Sequence, residues 1–249
     1  MKRLGWMLAV VIAAANGSVG FGAAVAAQQN ASFDLGECRL DTGSVDANYK
    51  TTDFTIPGHV HLACPTRDID ADRAKGNQKS KRATLFGHVV IHDKGGTGLV
   101  GGFAPGGTSS QGPSTLMTDR LDIDSASKLY TATGNVHYVQ GNRTIDAEKG
   151  VLNDFSKDIT LYTLHFTEGT QKVDASQGVM NSNSHVMDLT GNVHIVDGDR
   201  KMDADHVTYN TQSGDLHARG NVSMRFPGGT EPAAPAATAK KKKKRLLPF

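Results

Sequence analysis

Apolar and polar residues alternate along this chain in short runs that return on a regular beat. In Gly191-Asn-Val-His-Ile-Val-Asp-Gly198 the second and fourth residues after the glycine are apolar, with polar residues between them. Gly134-Asn-Val-His-Tyr-Val-Gln-Gly141 and Gly220-Asn-Val-Ser-Met-Arg225 repeat the plan, and Gly58-His-Val-His-Leu62 and Gly87-His-Val-Val-Ile91 are earlier copies. A degenerate copy, Thr163-Leu-His-Phe166, is entered at Tyr162 in place of the glycine. Strict alternation predicts strands, because successive side chains of a strand point to opposite faces. Val60/Leu62, Val89/Ile91, Val136/Tyr138, Leu164/Phe166, Val193/Ile195 and Val222/Met224 then share one inner face, while Asn135, His137, Asn192 and His194 take the other.

The copies start at 58, 87, 134, 162, 191 and 220, so they are 29, 47, 28, 29 and 29 residues apart. A second landmark keeps the same time. Ile69-Asp-Ala71, Ile145-Asp-Ala147, Val173-Asp-Ala175 and Met202-Asp-Ala204 each place their aspartate 12 residues after a start. Two landmarks at a constant offset inside a constant period indicate stacked supersecondary units. Each period of about 29 residues gives two strands: Lys201 to Tyr209, a turn over Asn210 to Asp215, then Leu216 to Arg225. Residues 28–57 form a lead-in with strands expected at Asp34 to Leu40 and Val45 to Tyr49. The long interval contains residues 95–113, with eight glycines and no periodicity, which read as a loop. It displaces the second landmark, leaving Met117 where the aspartate would fall.

Composition supports this all-β reading. Glycine is frequent, at 28 of 249 residues, and no long amphipathic helical pattern occurs. Lys2 and Arg3, the apolar run from Trp6 to Ala15 and the small residues Ala24-Val-Ala26 read as a signal peptide over residues 1–27. An uncleaved anchor is the alternative, although Asn16, Gly17 and Ser18 interrupt the apolar run. Export makes a bridge between Cys38 and Cys64 the favoured state of the two cysteines. The domain then runs from 28 to 226, and the Pro/Ala- and Lys-rich residues 227–249 read as a disordered tail.

The net charge of +2 divides unevenly between a mildly acidic body and a basic tail holding Lys240 to Arg245. Basic residues are not interleaved with aromatics along the repeat strands, so no nucleic-acid groove is expected. Histidines such as His59 and His61 share a strand face but lack a third ligand of the right kind, and no metal or other cofactor is predicted. Carboxylates such as Asp68, Asp70 and Asp203 recur in every unit, which reads as solvated architecture paired with Lys or Arg. A hydrolase would need an unrepeated acid pair in a cleft. No nucleophile elbow, phosphate loop or metalloprotease helix is present, and the chain is not expected to be an enzyme.

The Gly-Asn-Val and Asp-Ala landmarks, with the signal peptide, resemble the OstA-like family over roughly Val45 to Phe226. The resemblance implies an antiparallel β-jellyroll of V-shaped sheets, open at both ends, and a periplasmic location. It also implies lipopolysaccharide transport between the inner and outer membranes, with lipid A acyl chains in the apolar interior. The expected lipid-binding set is Val60, Leu62, Val89, Ile91, Val136, Tyr138, Ile145, Leu164, Phe166, Val173, Val193, Ile195, Met202, Val222 and Met224. The implied partners are lipopolysaccharide, an inner-membrane export complex and an outer-membrane translocon. Strand addition at the sheet edges would join them, and would also permit a head-to-tail homo-oligomer. The alternatives are an inner-membrane-anchored partner in the same export system and a ligand-free structural β-solenoid. A polysaccharide-active β-helix is the enzymatic competitor.

Overall fold

The structure, a computed structural model, describes residues 31–35, 38–95, 112–181, 183–210, 213 and 215–227. The expected signal peptide, most of the glycine-rich insert and the tail beyond residue 227 lie outside the described residues. Among those described, seventeen strands and no helix form one antiparallel sheet system. The short N-terminal strands are β1 (Ala31–Leu35), β2 (Cys38–Thr42), β3 (Asp46–Asn48), β4 (Asp53–Ile56), β5 (Val60–Ala63), β6 (Arg67–Ala71) and β7 (Arg73–Asn77). Eight long ones follow: β8 (Arg82–Asp93), β9 (Ser114–Asp124), β10 (Leu129–Gln140), β11 (Arg143–Asn153), β12 (Asp158–Glu168), β13 (Gln171–Asn181), β14 (Val186–Asp197) and β15 (Arg200–Asn210). Two short strands come last among the described residues, β16 (Leu216–Arg219) and β17 (Ser223–Arg225).

The pairings resolve this list into a jellyroll of two walls. One wall runs β2–β5–β6–β8, the other β3–β4–β7–β8. The long strands β8 to β15 pair in sequence and belong to both walls, because each is bent at its middle. Beyond β15 the walls separate again, β16 continuing one and β17 the other. We call them the asparagine wall (β3, β4, β7, β16) and the histidine wall (β2, β5, β6, β17), after residues described below. Alternate long strands begin at Leu129, Asp158 and Val186, followed by Leu216 of β16, so one hairpin occupies 28 to 30 residues.

The bend corrects one expectation. Gly-Asn reads in sequence as a strand start, yet Gly134-Asn135 and Gly191-Asn192 lie inside β10 and β14. Both residues of each pair have positive φ, 79° and 47° in β10 and 77° and 50° in β14. The register shifts there by a β-bulge. Glycine is required twice over at Gly191: its φ is left-handed, and an added Cβ would lie 2.7 Å from Ser176 Oγ and 2.8 Å from its Cβ. Asn135 Nδ2 donates to Asp119 across the same crease at 2.9 Å, and Asn221 Nδ2 to Asp205 at 2.9 Å.

Crossing the crease changes the phase of the side chains. In β11 the buried inner residues are Ile145 and Ala147, then Gly150 and Leu152, a step of three with Glu148 and Lys149 exposed between. In bulged β10 the step is four, from Ala132 to Val136. Strand β12 lacks the glycine, steps by three from Leu161 to Leu164, and pairs with both neighbours without a bulge.

The asparagine wall carries a third landmark. Asn48, Asn77, Asp124, Asn153, Asn181 and Asn210 each open a hairpin turn, and their Oδ1 atoms accept from backbone N–H groups two or three residues on. These positions are 29, 47, 29, 28 and 29 residues apart, so the repeat begins already in the lead-in, at β3. Cys38 and Cys64 are joined by a disulfide that ties β2 to the end of β5.

Candidate ligand-binding interior

The inner faces of the two walls form one apolar core. From the histidine wall, Val60, Val89, Ile91, Val136, Tyr138, Ile145, Leu164, Phe166, Val173, Val193 and Met202 are all buried. Leu62 and Ile195 are partly buried against them. Val222 and Met224 differ from the rest. Met224 pairs with Met202 and shares its face, but it is 43% exposed and Val222 is 46% exposed, because among the described residues no further strand pairs with β17. The apolar interior therefore reaches solvent at its C-terminal end, where Phe226 is exposed too.

The opposite wall was not anticipated from the sequence. Leu85, Leu121, Leu152, Ile159, Leu161, Met180, Leu189 and Val207 are buried across from the expected set. The repeat signal marked one half of each strand, and the phase change at the crease hid the other. The walls touch: a Cβ added at Gly178, on the asparagine wall, would lie 2.7 Å from Leu164 Cδ2 on the histidine wall. Between them, beside unbulged β12, lies a void of about 20 Å³ lined by Ile159, Leu161, Leu164, Phe166, Val173, Gly178, Met180 and Met187. That is room for about one water and far too little for an acyl chain. In this state the interior is packed like a core.

The outermost inner-facing rows of the two walls are unlike. Along the lip of the asparagine wall the register reads Ile123, Tyr130, Leu152, Ile159, Met180, Met187, Tyr209 and Leu216, all apolar or aromatic. Along the lip of the histidine wall it reads Arg67, Asp93, Ser114, Gln140, Arg143, Glu168, Gln171, Asp197 and Arg200. Arg143 is 7% exposed and donates through Nη2 to both Glu168 oxygens, at 3.0 and 3.1 Å. Burial raises the Tyr130 phenol's pKa, and the charge of Arg67 on the opposite lip opposes that shift.

The outer face of the histidine wall joins the two sequence landmarks. His61, His137, His165 and His194 contact Asp70, Asp146, Asp174 and Asp203 through Nδ1 at 2.7, 2.6, 2.5 and 2.6 Å. These aspartates were expected to pair with Lys or Arg; the register places a histidine opposite instead. Asp68 does bond Lys94, at 2.8 Å. In the remaining unit both partners are replaced together, by Val90 and Met117, which face each other. Such exposed pairs contribute at most about 1 kcal/mol each. Among the described residues no group of three or more His, Cys, Asp or Glu could hold a metal ion, and no helix is long and apolar enough to cross a membrane.

No curated protein matches this sequence. A solved structure described as LptH, the LptA homologous periplasmic component of the lipopolysaccharide transport device from Pseudomonas aeruginosa, is similar at 16% identity. The match covers 64% of this chain and 94% of that one, with a TM-score of 0.28. The family described as LptA/(LptD N-terminal domain) LPS transport protein matches residues 115–215 and again residues 172–244. Together those matches span more than half of the chain, including strands β10 to β17, and the chain belongs to the LptA/LptD N-terminal domain family of LPS transport proteins.

Proposed function

We propose that this protein carries lipopolysaccharide through the periplasm, holding its acyl chains between the two walls and passing them along the strand-stacking axis. The observation that carries this reading is the continuous apolar inner face, buried from Leu40 to Val207 and open to solvent at Val222, Met224 and Phe226. Burial of each acyl methylene against such a face gains about 0.8 kcal/mol. A void of about 20 Å³ admits no chain, so loading requires the walls to part about the crease. The strand ladders run along each wall and continue through the bends, so parting them exchanges apolar contact for apolar contact. The expected partners are an inner-membrane export complex and an outer-membrane translocon, with β17 and the N-terminal strands as pairing edges.

A second reading, a ligand-free structural β-solenoid, draws on the same filled interior. Lipid loading separates the two. Purified mature protein would be mixed with lipopolysaccharide and weighed by native mass spectrometry, beside the variants Ile145→Asp and Met224→Asp. Ile145 is 1% exposed, and a carboxylate there opposes acyl chains directly. Met224 is exposed, so its substitution leaves stability within about 0.5 kcal/mol while placing a charge at the open end. Loading of wild type and loss in both variants supports the carrier; wild-type loading by folded Ile145→Asp and Met224→Asp protein would exclude this interior as the lipid site.

A further inference from the structure

The lip of the histidine wall contains buried polar groups that the fold itself does not satisfy. Asp93 is 3% exposed, Tyr138 1% and Arg143 7%. They come from three different strands, β8, β10 and β11, whose register sets them around Ser114 and Gln140. Asp93 accepts from the Gly95 N–H through Oδ1, leaving Oδ2 buried and unpaired. Arg143 commits its Nε and Nη2 to Glu168, and its Nη1 is likewise buried and unpaired. The Tyr138 hydroxyl makes no hydrogen bond of ordinary geometry. Ser114 nonetheless lies close enough to oppose the rise that burial imposes on the phenol. Asp93, Ser114, Gln140 and Arg143 follow one another along the outermost row, and Tyr138 lies one row inward on β10 between Asp93 and Arg143. Buried polar atoms are normally paired, and three unpaired ones at a single place call for a ligand.

The chemistry of the cluster selects the ligand. It offers two donors, Arg143 Nη1 and the Tyr138 hydroxyl, together with one carboxylate acceptor, Asp93 Oδ2. The charge of Arg143 is already matched by Glu168, which leaves Asp93 to repel a phosphate. A hydroxyl group, which both donates and accepts, answers all three. The position fits an amphiphile. Tyr138 lies opposite Ile145, and Ile145 opposite Phe166, so the polar groups sit where the apolar interior ends.

We propose that Asp93, Tyr138 and Arg143 form a headgroup subsite that binds a hydroxyl-bearing sugar unit of the lipid whose chains occupy the interior. This rests on the carrier reading. The apolar lip opposite, with Tyr130 and Leu152, covers the other side of the chains, so the interior has one face for sugar and one for hydrocarbon.

The test compares lipid A, a diglucosamine glycolipid, with a saturated phosphatidic acid, whose headgroup is a bare phosphate without sugar or glycerol hydroxyls. Affinities of the full mature protein would be measured for wild type, Tyr138→Phe and Asp93→Asn. Tyr138→Phe removes only the unpaired hydroxyl, so the thermal midpoint holds or rises while lipid A affinity falls about 3- to 10-fold, the worth of one hydrogen bond. Asp93→Asn keeps an acceptor for Gly95 and weakens lipid A binding about 10-fold or more, since a charged acceptor is lost. Affinity for phosphatidic acid stays unchanged in both. Wild-type affinity for lipid A in both variants would overturn the subsite, leaving these groups to water alone, and so would an equal loss for both lipids. Failure of wild type to bind either lipid would instead remove the carrier reading, and this proposal with it.

Discussion

Replacing Gly191 with alanine tests the crease, on which both walls depend. Two costs arise. A left-handed φ of 77° costs a residue with a Cβ about 1–2 kcal/mol. The new methyl also meets Ser176, with Oγ at 2.7 Å and Cβ at 2.8 Å, close enough that the backbone must shift. Overpacking of this kind costs about 1–3 kcal/mol. Alanine also reduces the freedom of the unfolded chain, which returns about 0.4–1 kcal/mol. The net expectation is a loss of about 3 kcal/mol, or roughly 6–12 °C in midpoint for a domain of this size. Gly198 supplies the control. Its φ of 58° is also left-handed, but nothing lies within 4 Å of an added Cβ, so Gly198→Ala carries the conformational cost alone, about 1 kcal/mol or less. Urea and thermal unfolding of the disulfide-intact protein would measure both, together with Gly191→Ala/Ser176→Gly, which should recover the steric part. Equal costs for Gly191→Ala and Gly198→Ala, or no recovery in the double variant, would refute the steric account of the crease.

Other expectations follow from single contacts. Replacing Cys38 and Cys64 by alanine opens a link of sequence separation 26 and should lower stability by about 3.5 kcal/mol on the chain-entropy model, read as a lower urea midpoint. Asn153→Ala removes the acceptor for the Phe155 and Ser156 N–H groups, at 3.0 and 3.2 Å, and should cost about 1 kcal/mol, by analogy with the loss of a helix cap; a cost no larger than that of an exposed substitution elsewhere would contradict the turn's role. His88 has its pKa raised above 6.5, first by its hydrogen bond with Asp72 and then by that residue's charge. Its stabilising contribution is therefore complete below about pH 6.5 and is lost as pH rises through the folded value. NMR titration should find the His88 pKa falling in Asp72→Asn.

Half of each long strand was legible in the sequence. The alternation at Val136/Tyr138 and Val193/Ile195 identified the histidine wall because a strand's period of two is undisturbed between the bulge and the turn. The other half was hidden by the change of phase at the crease. The inner face advances by three residues in β11 and by four in β10 instead of two, so Leu152 and Ala132 fell out of phase with the set. The asparagine landmark was visible in principle, since Asn153 and Asn181 keep the period, but it sits among polar turn residues where alternation says nothing. His137 and Asp146 were each recognised as outward-facing. That they meet depends on cross-strand register, which single-strand patterning does not contain. Exposure of Val222 and Met224 follows from their place at the edge of the described sheet, where β17 is paired on one side only, and not from any difference in their residue type. The unpaired atoms of Asp93 and Arg143 depend on which strands lie side by side at the lip, and no spacing in the chain announces them.

If acyl chains enter by parting the two walls, the separation of the walls must change on loading. Asn142 and the exposed Phe155 lie in the turns at opposite ends of β11, one on each wall. Both native cysteines are held in the disulfide, so cysteines placed at these two positions accept nitroxide labels selectively. Double electron–electron resonance between them, with and without lipopolysaccharide, reads the opening directly. The distance should lengthen by roughly 5 Å on loading, about half the spacing of two packed sheets, and return when the lipid is removed. Lipopolysaccharide bound at full occupancy with an unchanged distance would contradict this parting, and would place the lipid outside the walls.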